Sequence, residues 1–204
     1  MATTSATAEL PPTDLALSWL RSAKDALAAA RDAAHAPRPT GADWLLDDPS
    51  NATRLLKEVT IEAIRRDAPD GVVDGLLIFT RRVSAGAARL KQNTYLSSAL
   101  ASLKGKTEPA EIQEVLERAL TTPPPDQTGT EALRAMLAAV VRMRATDVVF
   151  FADELVFKPE TGVDPGTSLA PHIPCLGVFC ALCIEGGPLG CVACAVIGQA
   201  ICLL

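Results

Sequence analysis

All six cysteines of this 204-residue chain lie in its C-terminal segment 173–204, IPCLGVFCALCIEGGPLGCVACAVIGQAICLL, which we call the tail. Thiols at this density can form disulfides or bind a metal ion. Apart from Glu185 and Gln199, the other tail residues are apolar residues, glycine or proline. The cysteines are Cys175, Cys180, Cys183, Cys191, Cys194 and Cys202.

The tail contains a turn signal near its middle. Gly186, Gly187 and Pro188 break helices and promote turns, so we expect the chain to fold back there. CxxC spacing places two cysteines on one helix face. The sequence therefore predicts a helical hairpin with an apolar, exposed outer surface, which would mark a partner or a membrane.

Antiparallel arms around this turn suggest nested disulfides. The residue numbers of Cys183 and Cys191 have the same sum as those of Cys180 and Cys194, as expected for residues that face each other across a turn. Cys175 and Cys202 are offset from that register by less than one helical turn. Six cysteines permit fifteen connectivities, so others stay open. The candidate pairs are Cys183 with Cys191, Cys180 with Cys194, and Cys175 with Cys202.

Metal binding is an alternative use of the two CxxC pairs. Zinc or an Fe–S cluster could take Cys180, Cys183, Cys191 and Cys194 as ligands, and His172 lies close to Cys175. The spacer between the pairs is shorter than the roughly 12–20 residues usual between zinc knuckles. We therefore expect no cofactor and keep zinc as the alternative.

Two further alternatives use the apolar character of the tail. Residues 186–204 carry no charge and are just long enough for a membrane anchor, but glycines interrupt them and no basic residue flanks them. The tail could also be buried in the rest of the protein with free thiols, because free cysteines are often buried.

The remainder of the chain has the composition of a helical bundle. Alanine is abundant and aromatic residues make up only 4% of the sequence, which favours an all-α fold. We predict a disordered start over 1–12, a bundle over 13–157, a linker over 158–174 and then the tail. Candidate cleavage positions in the linker are Gly162, Pro165, Gly166, Pro171 and Pro174.

Within the bundle, the pattern predicts one helix over 13–36 and another over 72–92. Thr107 and Thr130 are the expected N-caps of two later helices. Trp44 lies in a loop that we expect to dock onto the bundle.

The sequence outside the tail favours no catalytic chemistry. It has no nucleotide-binding loop, nucleophile elbow or HExxH motif. We expect His35 to lie at a helix end, and Asp47–Asp48 and Asp153–Glu154 to be surface charges. The net charge of −5 comes without a basic patch, so we expect no nucleic acid partner, and no signal peptide is visible in the sequence.

A compact, apolar, Cys-rich C-terminus behind a longer polar part resembles Cys-rich bacteriocin precursors of the halocin type. The resemblance is carried by the composition of the tail and its CxxC pairs at 180–183 and 191–194. It implies an antimicrobial peptide that processing or export machinery releases from the precursor and that acts on membranes. The bundle would then be a leader, a carrier or an immunity module.

Overall fold

The computed structural model describes residues 10–36, 42–122, 126–145, 178–179, 181–183 and 187–204. Within these residues the fold is all-α, as predicted. Residues 178–179 and 181–183 are also helical. In chain order the helices are α1 Pro12–Ser22, α2 Lys24–Ala33, α3 Asp43–Asp47, α4 Ser50–Arg65, α5 Asp70–Gln92, α6 Thr94–Ala101, α7 Pro109–Thr121, α8 Gln127–Ala145 and α9 Gly187–Leu203.

The predicted single helix over 13–36 is wrong, because the chain bends at Ala23 and forms α1 and α2. Ala23 leaves the helical region, with φ −93° and ψ 49°. Ser22 Oγ donates a hydrogen bond to the Trp19 carbonyl at 3.1 Å, a local interaction that competes with the regular helix. The bend lets α1 pack against α5 and α2 pack against α4.

Two predicted helix starts are displaced by a few residues. The N-cap of α7 is Glu108, not Thr107, since Pro109 is well suited to the first helical position. Asp126, not Thr130, caps α8 by accepting hydrogen bonds from the N–H groups of Thr128 and Gly129 at 3.1 and 3.0 Å. An aspartate just after a proline run was the sequence signal for this cap.

The predicted docking of Trp44 is confirmed, although its segment forms the short helix α3 and not a loop. Trp44 and Leu45 are buried in the same core as the longer helices.

Helix α5 is the central helix of the N-terminal half, since it packs against α1 and α4 and also against the C-terminal helix α9. Its buried face follows the predicted helical spacing. That face consists of Val72, Leu76, Phe79, Val83, Ala87 and Leu90.

Helix α9 connects the two halves of the bundle. It contacts α5 on one side and α8 on the other, with smaller contacts to α3 and α7. Since α7 and α8 pack on each other, α9 joins this pair to the group formed by α1, α2, α4 and α5.

Candidate functional site

Most of the tail residues whose burial the structure describes lie in the protein core, and only Leu203 and Leu204 are partly buried. An apolar helix without a polar face needs such enclosure in water, because each of its faces loses free energy when exposed. The prediction of an exposed apolar outer surface is therefore wrong, since the bundle helices cover it. The buried apolar tail residues are Val178, Phe179, Ala181, Leu182, Cys183, 193–197 and 200–202.

A disulfide joins Cys183 to Cys194, whose Cα atoms are 6.4 Å apart. Both side chains are completely buried. The predicted participation of these two cysteines is confirmed, and the predicted pairs 183–191 and 180–194 are wrong. The observed partner of Cys183 is three residues further along the chain than predicted, so Cys194 takes the place of Cys191.

The disulfide pairing differs from the prediction because Gly187 and Pro188, which were expected to form the loop of the hairpin, belong to the first helical turn of α9. Proline is tolerated there, since the first helical N–H groups have no intrahelical partner. Gly186, the third expected turn residue, lies outside the described residues.

Phe179 and Gly198 form a second contact in the same register as the disulfide. A Cβ atom on Gly198 would lie 2.5 Å from a ring carbon of Phe179, so only glycine leaves room for the ring. The residue numbers of this pair and of the disulfide pair have the same sum, as antiparallel arms require. Cys175 and Cys202 share that sum, and Cys202 is disulfide-bonded.

Several predicted tail and linker residues lie outside the described residues, so what the sequence indicates for them stays a prediction. Cys191 is part of α9. The pair 175–202 and the cleavage region also stay predictions. The residues outside the described ranges are Cys175, Cys180, His172, Gly162, Pro165, Gly166, Pro171 and Pro174.

The C-terminal turn of α9 rests on one face of α5, a feature that the sequence analysis missed. Arg82 donates a hydrogen bond to the Cys202 carbonyl at 3.4 Å, and Arg89 donates one to the Leu204 carbonyl. Between them, Gly86 faces the carbonyl of Ile201. The last carbonyls of a helix lack intrahelical partners and carry partial negative charge, so arginines stabilise this end.

We call Arg82, Gly86 and Arg89 the α5 cradle. Their spacing of four and three residues places them on one helix face, which was the available sequence signal. The α5 cradle contacts backbone atoms of α9. Because α9 has few polar side chains, its backbone carbonyls are the main hydrogen-bond acceptors at this end.

Gln199 is a polar residue on α9 whose side chain is 0% exposed. Neither its Nε2 nor its Oε1 atom has a hydrogen-bond partner within the described part of the chain. Leaving a buried polar group unpaired costs about 1–3 kcal/mol. The bundle therefore encloses this amide without satisfying it.

The cysteine chemistry of the oxidised tail conflicts with the alternative zinc site. Zinc binds thiolate sulfur, and the sulfurs of Cys183 and Cys194 are bonded to each other. Two of the four candidate ligands are thus occupied. Among the described residues, no three His, Cys, Asp or Glu side chains come together in a metal-binding arrangement.

Asp47 and Asp48 form separate ion pairs, with Lys104 and Lys91 respectively. The hydrogen bond from Lys91, at 2.7 Å, holds the pKa of Asp48 below its usual value. Two carboxylates that share a proton would instead show one raised pKa. The pair therefore has the properties of surface charges, as expected.

His35 is exposed in the turn that follows α2, near the predicted helix end, with Nδ1 3.0 Å from the Ala33 carbonyl oxygen. Asp153 and Glu154 lie outside the described residues.

Among the helices described, none combines the length and the apolar character needed to cross a bilayer. Comparisons of the chain with protein-family models, with characterised proteins and with solved structures found no match.

Proposed function

We propose that this protein is the precursor and carrier of its own tail, a Cys-rich, membrane-active peptide of the antimicrobial or toxin type. The observation that supports the proposal is the burial of Val178, Phe179, 181–183 and 193–202, an apolar and disulfide-bonded part of the tail, among amphipathic helices such as α4. In this proposal the bundle has no catalytic role. It keeps the apolar surface of the tail away from water and from membranes until the tail is released.

The chemistry of the tail fits this role. A peptide of about 30 residues cannot build a sufficient core alone, and disulfides compensate by restricting its unfolded chain. Once outside the bundle, the apolar faces of α9 would be exposed to water and would favour a lipid surface. Cleavage within 158–174 would separate the tail from the bundle.

Dye release from lipid vesicles tests this proposal. A protease recognition sequence is inserted in 158–174 of the full chain, and vesicles containing anionic lipid are loaded with a self-quenching dye. We expect the uncut chain to release no dye. The cut chain, and the tail purified from it under non-reducing conditions, should release dye in proportion to the amount added.

The matched control is the same cut chain with Cys183→Ala and Cys194→Ala, which keeps the apolar sequence but lacks the observed disulfide. This variant should release less dye than the parent. If neither the cut chain nor the purified tail releases dye from any vesicle composition, the membrane-active role is wrong.

The position of α9 between the two halves of the bundle favours a second candidate function. In this alternative the protein is a non-enzymatic scaffold, and the tail is a permanent part of its core. The scaffold predicts that cutting the chain within 158–174 leaves a stable complex that never releases dye. Recovery of the free tail from the extracellular medium of producing cells would contradict the scaffold and support the precursor.

A further inference from the structure

We propose that Gln199 is the contact through which two copies of the tail associate after they leave the bundle. This inference rests on the proposed function, because it concerns the tail in an apolar environment outside the bundle. It assigns a partner, namely a second copy of the same segment, to an amide that is unpaired among the residues that the structure describes.

The surroundings of Gln199 within the protein are apolar. Ala195 and Val196 lie one helical turn before it on the same side of α9, and both are completely buried. Within the described residues no donor or acceptor reaches the amide, although it is 0% exposed. Natural proteins pair nearly all buried polar side chains. An unpaired amide in this position therefore indicates that its partner is met elsewhere.

Gln199 also lies off the face of α9 that contacts the preceding tail residues Phe179 and Cys183. Cys194 is bonded to Cys183, and Gly198 lies against the ring of Phe179. Successive residues in an α-helix are rotated by about 100°, so Gln199 lies well off the face that carries Cys194 and Gly198. In a released tail, Phe179 and Cys183 would therefore leave Gln199 accessible, and the small side chain of Ala195 would let another helix approach closely.

A second copy of the tail fits this amide better than lipid does. The glutamine side chain has both a donor and an acceptor, so two glutamines related by a two-fold axis can exchange two hydrogen bonds. Hydrocarbon chains offer neither group, which leaves an isolated amide unsatisfied in a bilayer. Pairing of side-chain amides is an established means of helix association in membranes.

The test uses the full chain with the inserted protease site, cut in the presence of anionic vesicles and treated with an amine-reactive crosslinker. Residues 173–204 contain no lysine, so the new N-terminus is the amine that marks each tail when the cut follows Gly166. Mass spectrometry then distinguishes tail–tail from tail–bundle products. We expect tail–tail products from the parent and roughly threefold to tenfold less from Gln199→Leu, with recovery in Gln199→Asn, which keeps an amide.

Stability of the uncut chain gives an independent readout. Gln199→Leu removes the unpaired amide at similar volume, so its Tm should rise by about 2–4 °C. A fall in Tm would show that the amide has a partner in the bundle and would overturn the inference, as would equal tail–tail crosslinking in parent and Gln199→Leu. Tail–tail products without dye release would support the inference and contradict membrane activity. Dye release together with unchanged crosslinking in Gln199→Leu would support membrane activity and contradict the inference.

Discussion

Gly86 lies where the backbones of α5 and α9 meet. A Cβ atom at this position would overlap the carbonyl oxygen of Ile201. Gly75, three turns earlier on α5, stands in the same relation to the carbonyl of Pro12 at the start of α1. Glycine in a helix interior lowers helix stability by roughly 1 kcal/mol relative to alanine. At Gly75 and Gly86 this loss accompanies the close packing of two helix backbones.

We expect Gly86→Ala to destabilise the protein by about 1–3 kcal/mol, because the added carbon forces α5 and α9 apart. Urea unfolding followed by circular dichroism measures the change. Gly71→Ala is the matched control in the same helix, since its Cβ would meet only the end of the flexible Leu15 side chain. Equal stability of the two variants would show that α9 does not pack on α5 as described.

At this scale the sequence predicts the helix that carries these glycines but not the backbones that they contact. The helical spacing of Val72, Leu76 and Phe79 predicts α5 because one element's own periodicity carries that information. The neighbour of Gly86 is more than 100 residues away in the chain. No local pattern records which backbone will approach a glycine, so the α5 cradle was not predictable from spacing alone.

At the scale of elements, the tail shows why a correct element type can carry a wrong pairing. Composition and CxxC spacing predict its helical character and a disulfide role for Cys183 and Cys194, with metal binding and free thiols as alternatives. The register depends on where the second helix starts, and Gly187 and Pro188 are compatible with both a turn and a first helical turn. The start of α9 at Gly187 accompanies the shift of the disulfide from Cys191 to Cys194.

Thiol counting in the oxidised protein tests this pairing. The double variant Cys183→Ala and Cys194→Ala removes both members of the observed disulfide, so it should expose no additional free thiol and should lower stability by about 2–4 kcal/mol. Cys183→Ala with Cys191→Ala is the control and should free the thiol of Cys194. The opposite pattern, with a new thiol only in the first variant, would restore the pair 183–191.

At the scale of the whole molecule, α9 holds the bundle together from within. The pair α7 and α8 packs on α9, and so does α5 from the other half, whereas direct contacts between α5 and α8 are slight among the described residues. Removal of α9 would leave the apolar surfaces of α5 and α8 that it covers without their packing partner.

Deletion of 173–204 should therefore affect the two halves unequally. Helices α1, α4 and α5 still pack on each other, whereas α8 loses its contact with α9 and keeps mainly α7. We expect amide hydrogens of α7 and α8 to lose most of their protection in hydrogen exchange, and those of α4 to keep more of theirs. The full, uncut chain is the control and should keep protection in both halves. Uniform protection after deletion would mean that α9 is not the connection between them, and would remove the structural basis for a bundle built around its tail.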